Sequence, residues 1–254
     1  MAGLFYARDP DRLRAEVSEL FPDAAMSAAG VPKALIVPHA GYVYSGRVAA
    51  SGFATLRASA ETITRIVVIG PAHYVRVRGI AVPTVDAFAT PLGRVAVDRD
   101  ALTTLGDLTS VVQTDAPHAP EHALEVELPF LQVLLVSFTL VPLVVGEAEP
   151  TEVSEVMRRL WGGPETLIVV SSDLSHYHDY ETARRIDGAT SMAIERGDWN
   201  NIGPDQACGF LPVAGLLIEA ERRGLRAQRL SLCNSGDTAG SRDRVVGYGA
   251  WVFA

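Results

Sequence analysis

Three histidines stand just past three short apolar runs. Leu35-Ile36-Val37 leads into Pro38-His39-Ala40-Gly41-Tyr42, and Ile66-Val67-Val68-Ile69 leads into Gly70-Pro71-Ala72-His73-Tyr74. Leu167-Ile168-Val169-Val170 leads into Ser171-Ser172-Asp173-Leu174-Ser175-His176-Tyr177-His178. Continuous apolar runs of this length read as strands buried on both faces. In an open parallel sheet the ligand site lies beyond the carboxyl ends of the strands. The spacing therefore predicts that His39, His73 and His176 converge although they are far apart in the chain. A neutral imidazole is both a metal ligand and a proton shuttle, so convergence leaves metal binding and acid–base chemistry both open.

A second cluster reads His118-Ala119-Pro120-Glu121-His122-Ala123-Leu124-Glu125. On a helix, Glu121 and Glu125 share a face, and a carboxylate beside His122 can orient or charge its ring. Acidic residues also suit the first turn of a helix, and a solvated first turn accounts for Glu125 and Glu127. The order is not that of a His-Glu-x-x-His zinc helix. Cys208 precedes Gly209-Phe210-Leu211-Pro212, where a helix is expected to begin. A thiol at a helix N-terminus is favoured as thiolate, although a free cysteine is most often a small buried apolar residue. Cys233 follows an expected strand and reads as packing.

The elements that must position these groups alternate. Helices are expected over Arg8 to Leu20, Gly46 to Ala58, Arg99 to Leu108, Glu121 to Val136, Glu152 to Trp161, Tyr180 to Arg196 and Pro212 to Arg223. Strands are expected over Ala34 to Val37, Ile66 to Ile69, Thr139 to Val145, Leu167 to Val170, Gln228 to Leu232 and Val245 to Phe253, with a hairpin-like excursion over Gly79 to Val82 and Gly93 to Val97 around Pro83 and Pro91. Alternation of this kind, with unbroken apolar strands, specifies a single α/β domain over residues 1–254, in three layers around a largely parallel sheet.

Composition narrows the function. Of 254 residues, 22 are Lys or Arg and 30 are Asp or Glu, a net charge of −8 that offers no general basic surface for nucleic acid. Two cysteines make no disulfide scaffold. The charge-free stretch from Leu128 to Gly146 is long enough to suggest a membrane span. It contains Pro129, Gln132, Ser137, Thr139 and Pro142, and reads better as a helix end followed by a buried strand. The first residues show no basic segment running into an apolar one, so a cytoplasmic protein without a leader is expected.

Taken together, these segments resemble the Memo family, whose bacterial members are often labelled AmmeMemoRadiSam system protein B. The resemblance rests on Phe5-Tyr6 and Leu13, Pro38-His39-Ala40-Gly41-Tyr42 with Ser45-Gly46, Gly70-Pro71-Ala72-His73, Glu121-His122-Ala123-Leu124-Glu125 with Leu128-Pro129, Ser171-Ser172-Asp173-Leu174-Ser175-His176, Cys208-Gly209 with Pro212, Asn234-Ser235-Gly236-Asp237 and Val246-Gly247-Tyr248. It implies a fold similar to class III extradiol dioxygenases and a metal site of His39, His73 and Cys208, with Asp173 and His176 beside it. Cys233 stands where the family has an aromatic residue, so it is not a shared ligand. Iron(II) is the metal implied first, copper next and zinc last. Extradiol enzymes hold iron with two histidines and a carboxylate, so the third ligand here is either Cys208 or Asp173.

The function expected is a non-haem metal-dependent oxidoreductase acting on a small substrate. Asp173, His176 and His122 would orient the substrate or move protons. Two alternatives are a zinc hydrolase with an activated water and a module that binds a peptide or partner in the same groove, near Tyr42, Tyr44 and Tyr74. By family resemblance, partners of radical-SAM and AMMECR type are also implied.

Overall fold

The computed structural model describes residues 1–23 and 30–254. Seven helices are present among them: α1 (Pro10–Leu20), α2 (Tyr42–Ala54), α3 (Arg99–Thr103), α4 (Leu128–Leu134), α5 (Pro150–Arg159), α6 (Tyr180–Arg196) and α7 (Phe210–Arg223). The strands are β1 (Ala34–Val37), β2 (Arg65–Pro71), β3 (Ile80–Val82), β4 (Ala87–Thr90), β5 (Gly93–Ala96), β6 (Val111–Gln113), β7 (Thr139–Val145), β8 (Thr166–Ser171), β9 (His176–His178), β10 (Ala227–Asn234) and β11 (Val245–Phe253).

The main sheet runs β10-β11-β1-β8-β2-β7-β3-β6, with β9 added to β11. Its centre, β1-β8-β2-β7, is parallel throughout. Antiparallel pairing enters at the flanks, where β11 meets β1, β10 and β9, and where β3 meets β7. Side chains of a strand alternate between faces, and here both faces are covered. Leu35, Val37, Ile66, Val68, Leu167 and Val169 pack into a core shared with α1, α2 and α4. Their neighbours Ile36, Val67, Ile69, Ile168 and Val170 pack into the opposite core, shared with α5 and α7. Hence the unbroken apolar runs, and hence three layers: a mixed, largely parallel sheet between two layers of helices.

Local signals explain several element starts. Asp9 caps α1, with its side chain accepting from the Arg12 N–H, and Pro10 occupies the first turn, where a missing N–H costs nothing. Glu149 and Glu152 form a reciprocal capping box at α5.

Several boundaries differ from those expected. The helix expected over Glu121 to Val136 is reduced to α4, preceded by a single 3-10 turn at Glu125–Glu127. The Glu121 carboxylate binds the N–H groups of His122 and Ala123, which offers this backbone an alternative to helix. The shared helical face of Glu121 and Glu125 is lost with it. Glu121 turns to His73, whereas Glu125 meets Tyr6 and the amino group of Met1. The solvated first turn expected of Glu127 is also overturned, because this side chain is fully buried. Helix α2 begins four residues before the expected Gly46, and α3 ends at Thr103 rather than Leu108. The excursion is divided: β3 joins the main sheet, and the true hairpin is β4 with β5, turning at Pro91-Leu92. The charge-free stretch is α4 followed by β7, and no helix among the described residues is long and apolar enough to cross a membrane.

Candidate metal centre

Three parallel strands deliver the site. Strand β1 ends at Val37 and hands on His39; β2 ends at Pro71 and hands on His73; β8 ends at Ser171 and hands on Ser172 and Asp173. In the sheet order β8 lies between β1 and β2, so the three loops rise side by side.

The rings of His39 and His73 meet edge to face with centroids 5.1 Å apart. The third imidazole is His122, not His176. Its ring stacks on His73 at 4.9 Å and meets the edge of His39 at 5.3 Å. Gly70 allows this, because a Cβ there would lie 3.1 Å from Leu124 and 3.3 Å from Ala123, the residues that follow His122 over the end of β2. His176 instead opens β9 and is carried into pairing with Val246 of β11. It makes no hydrogen bond to the cluster among the described residues, although its charge bears on His39 and Asp173.

Each ligand candidate has its second ring nitrogen occupied. His73 Nδ1 donates to Glu121 Oε1 at 2.9 Å, and the His73 backbone N–H donates to Glu121 Oε2 at 2.7 Å. His39 Nδ1 lies 2.8 Å from Ser171 Oγ, which itself donates to the Ala123 carbonyl at 2.6 Å. The only hydroxyl proton is thus used, and His39 Nδ1–H must be the donor to Ser171. Both rings then carry their lone pair on Nε2. His39 Nε2 faces Cys208 Sγ at 3.3 Å. Tying one imidazole nitrogen to a protein acceptor so that the other can bind a metal is the usual support of a metal site.

The donor atoms of His39, His73 and Cys208 all lie within 4.8 Å of one another. Those of His73, Glu121 and His122 do so too. The second set is the weaker candidate, because Glu121 already accepts hydrogen bonds from His73 twice and from the N–H groups of His122 and Ala123 at 3.0 Å each. Asp173 is in neither group. Its Oδ1 accepts the His39 backbone N–H at 2.8 Å, so it anchors the loop that carries the ligand.

Burial sets the protonation states. His39 is buried, and desolvation, followed by the charge of His73, pushes its pKa down to about 3. His122 is lowered by burial and then by His39. Burial opposes ionisation of Glu121, but the donors on it, His73 foremost, outweigh that and hold its pKa low. Burial raises Asp173. Cys208 departs from the expected thiolate. Desolvation, then the Asp173 carboxylate, push its thiol up to about 12. Gly209 N–H donates to Ser172 Oγ at 2.9 Å, and the support it gives a thiolate is outweighed by burial. Unliganded Cys208 is a thiol.

The surroundings sort the tyrosines. Tyr42 is core: its ring packs on Phe130 and Tyr6, and its hydroxyl donates to the Val126 carbonyl. Tyr74 is exposed and its hydroxyl lies 3.2 Å from His122 Nδ1. Tyr44 is exposed at 39%. Phe5, which sequence reasoning had not placed at the site, stacks on His122 at 4.4 Å. Cys233 packs against Val48, Tyr248 and Ala250, as expected of it. A cavity of about 370 Å³ adjoins Cys208 and is walled by Ala72, Arg76, Val77, Glu147 and Phe210.

Paired imidazoles and a thiol, gathered past the strand ends of a three-layer α/β sheet, define the class: a protein built around a candidate metal centre. The chain belongs to the Memo-like protein family, whose model matches residues 1–252. A MEMO1 family protein of Archaeoglobus fulgidus is 35% identical over 265 residues, spanning 100% of this chain and 97% of that one. A MEMO1 family protein of Sulfolobus acidocaldarius is 31% identical over 274 residues, spanning 98% and 95%. Among solved structures, an uncharacterized protein from Escherichia coli K12 shares the fold with a TM-score of 0.55 at 14% identity, covering 85% of this chain and 98% of that one.

Proposed function

We propose that this protein is a non-haem metal-dependent oxidoreductase, with His39 Nε2, His73 Nε2 and Cys208 Sγ holding iron(II), or copper in its place. The observation that carries this reading is the pair of occupied Nδ1 atoms, which leaves two Nε2 lone pairs beside the Cys208 sulfur. Two imidazoles and a soft thiolate suit iron or copper, and three protein donors leave positions open for other ligands. The bound ion would supply activation of oxygen toward a small substrate.

The chain's own residues supply the rest. Glu121 and Ser171 fix the two imidazoles. Asp173 holds the His39 loop, and its raised pKa suits a group that takes and gives a proton near the ion. His122, lowered by burial, is neutral at pH 7 and is held by Tyr74 and Phe5 where it can accept a proton from a substrate. His176 bears on His39 and Asp173 through its charge. The cavity beside Cys208 is of a size for a small molecule.

The test is metal analysis and an electronic spectrum of protein purified without oxygen. One ion per chain with thiolate charge-transfer bands, both lost in His39→Ala and Cys208→Ala, is expected. Unchanged metal content in both variants would sink the proposal. Stoichiometric zinc with oxygen-independent turnover would move it to a hydrolase.

A further inference from the structure

Glu127 has no part in the chemistry above, yet it is the most completely buried carboxyl group near the site. It is 0% exposed, its Oε2 has no partner, and no cationic side chain pairs with it among the described residues. Its Oε1 lies 2.9 Å from Ser171 Oγ. That hydroxyl therefore has three neighbours: Ala123 O at 2.6 Å, His39 Nδ1 at 2.8 Å and Glu127 Oε1.

A hydroxyl offers one proton and two lone pairs. The Ala123 carbonyl can only accept, and it is the nearest neighbour, so the proton goes there. The two lone pairs are left for His39 and Glu127, and each must donate. A carboxyl oxygen donates only when it carries the proton. Were Glu127 ionised, it would compete with the Ala123 carbonyl for one hydroxyl proton and leave an unpaired buried charge, an arrangement proteins avoid by neutralising the group. Charge on Asp173 opposes a second charge on Glu127, and the buried Tyr42 hydroxyl is spent on Val126 O, so neither relieves it.

We infer that Glu127 is a neutral carboxylic acid at physiological pH, and that by donating to Ser171 Oγ it saturates this hydroxyl, leaving the hydroxyl proton to the Ala123 carbonyl and the other lone pair to His39 Nδ1–H. It is a positioning residue, acting on His39 through Ser171. Its consequence for a metal rests on the proposed function; its protonation and the tautomer do not. Neutrality also keeps a further negative charge away from a site that already has Asp173 and, on metal binding, the Cys208 thiolate.

Two measurements on the metal-free protein test the inference by itself. The infrared difference between wild type and Glu127→Gln at neutral pH should contain the carbonyl stretch of a protonated carboxylic acid; an ionised carboxylate pair of bands in its place overturns the proposal. Nitrogen-15 spectra should show His39 with its proton on Nδ1 in wild type and in Glu127→Gln, whose amide N–H can also donate. A wild-type His39 protonated on Nε2 is equally fatal. Metal affinity follows: Glu127→Gln within about threefold of wild type, and Glu127→Leu about tenfold weaker, at the lower end of what supporting hydrogen bonds contribute. Should Glu127→Leu fail to fold, the infrared band and the wild-type tautomer decide. Both correct in a protein that binds no metal would leave this inference standing and remove the metal reading.

Discussion

Under the proposed function the buried thiol makes metal uptake a proton-releasing reaction, and its size can be worked out. Burial and Asp173 push Cys208 up to about 12. A metal binds the thiolate, so at pH 7.5 the proton must first be removed at a cost of about 6 kcal/mol. Each further pH unit lowers that cost by about 1.4 kcal/mol, a factor of ten in apparent affinity. His39, pushed down to about 3, has no proton to lose in this range. The logarithm of the association constant should therefore rise with slope one between pH 7.5 and 9. Zinc serves as a redox-silent probe, titrated against a competing chelator. Calorimetry in buffers of different ionisation enthalpy should count about one proton released per ion. Cys208→Ala should bind more weakly and lose one unit of slope. A flat profile in wild type, or the same slope in Cys208→Ala, would show that this sulfur is not the ligand, or is not a thiol beforehand, and would refute the reasoning.

Other outcomes follow from the same contacts. Glu121→Ala removes the acceptor of His73 Nδ1–H together with that of three backbone N–H groups, and should weaken metal binding about 10–100-fold by competitive titration; an unchanged constant would mean Glu121 is not what orients His73. His39 titrates lower folded than its usual ~6.5 unfolded, so the unfolded chain binds more protons between those values. Its contribution is full above pH 6.5 and is lost at about 1.4 kcal/mol per unit as pH falls toward 3. Urea unfolding of metal-free wild type against His39→Asn at pH 5 and 7 should show the variant losing less stability on acidification; equal losses would contradict the assignment. At Gly209 a Cβ would lie 2.7 Å from Ser172 Cβ and 2.9 Å from the Ser171 carbonyl, so Gly209→Ala should cost about 1–3 kcal/mol in urea unfolding. It should also weaken metal binding, because Cys208 is displaced from His39; full affinity at reduced stability would place Cys208 outside the site.

The architecture is legible in the sequence because its signals are local. Ala34–Val37, Ile66–Ile69, Thr139–Val145 and Leu167–Val170 are apolar on both faces, and only a doubly covered parallel sheet makes use of that pattern. His39 and His73 followed from the strand ends. His176 bears on His39 and Asp173 through its charge but does not pack on the two rings, because topology says which loops leave the sheet edge but not how each one turns. The loop after β8 gives its first residues to the site and then pairs His176 with β11. His122 replaced it through a turn whose stability lies in one carboxylate binding its own backbone, a contact that helical periodicity cannot register. The role of Ser171 is not legible in the sequence, because a serine at a strand end has no signature for receiving an imidazole proton. Glu127 looked like ordinary first-turn acid, since charge suggests exposure until burial is seen. Cys208 was placed correctly at the start of α7, but the helix was credited with an effect that burial and Asp173 reverse.

Three carboxyl groups around this cluster illustrate how donors rather than residue type assign the roles. Glu121 receives four N–H hydrogen bonds, enough to overcome its burial, and stays an anion; a group so fully engaged can orient a neighbour but is poorly placed to exchange a proton or bind an ion. Among the described residues Glu127 receives no N–H and has one oxygen unpartnered, which leaves it neutral. Asp173 lies between them. One N–H, from His39, supports its charge while burial opposes it, and both His122 and His176 bear on it electrostatically. Environments that push neighbouring carboxyl groups apart in this way mark which one does acid–base work. Of the three, Asp173 alone is neither held ionised by several donors nor left without one, which is why the proposed function gives it, with His122, the movement of protons, while Glu121 and Glu127 hold His73 and His39 in place from opposite charge states.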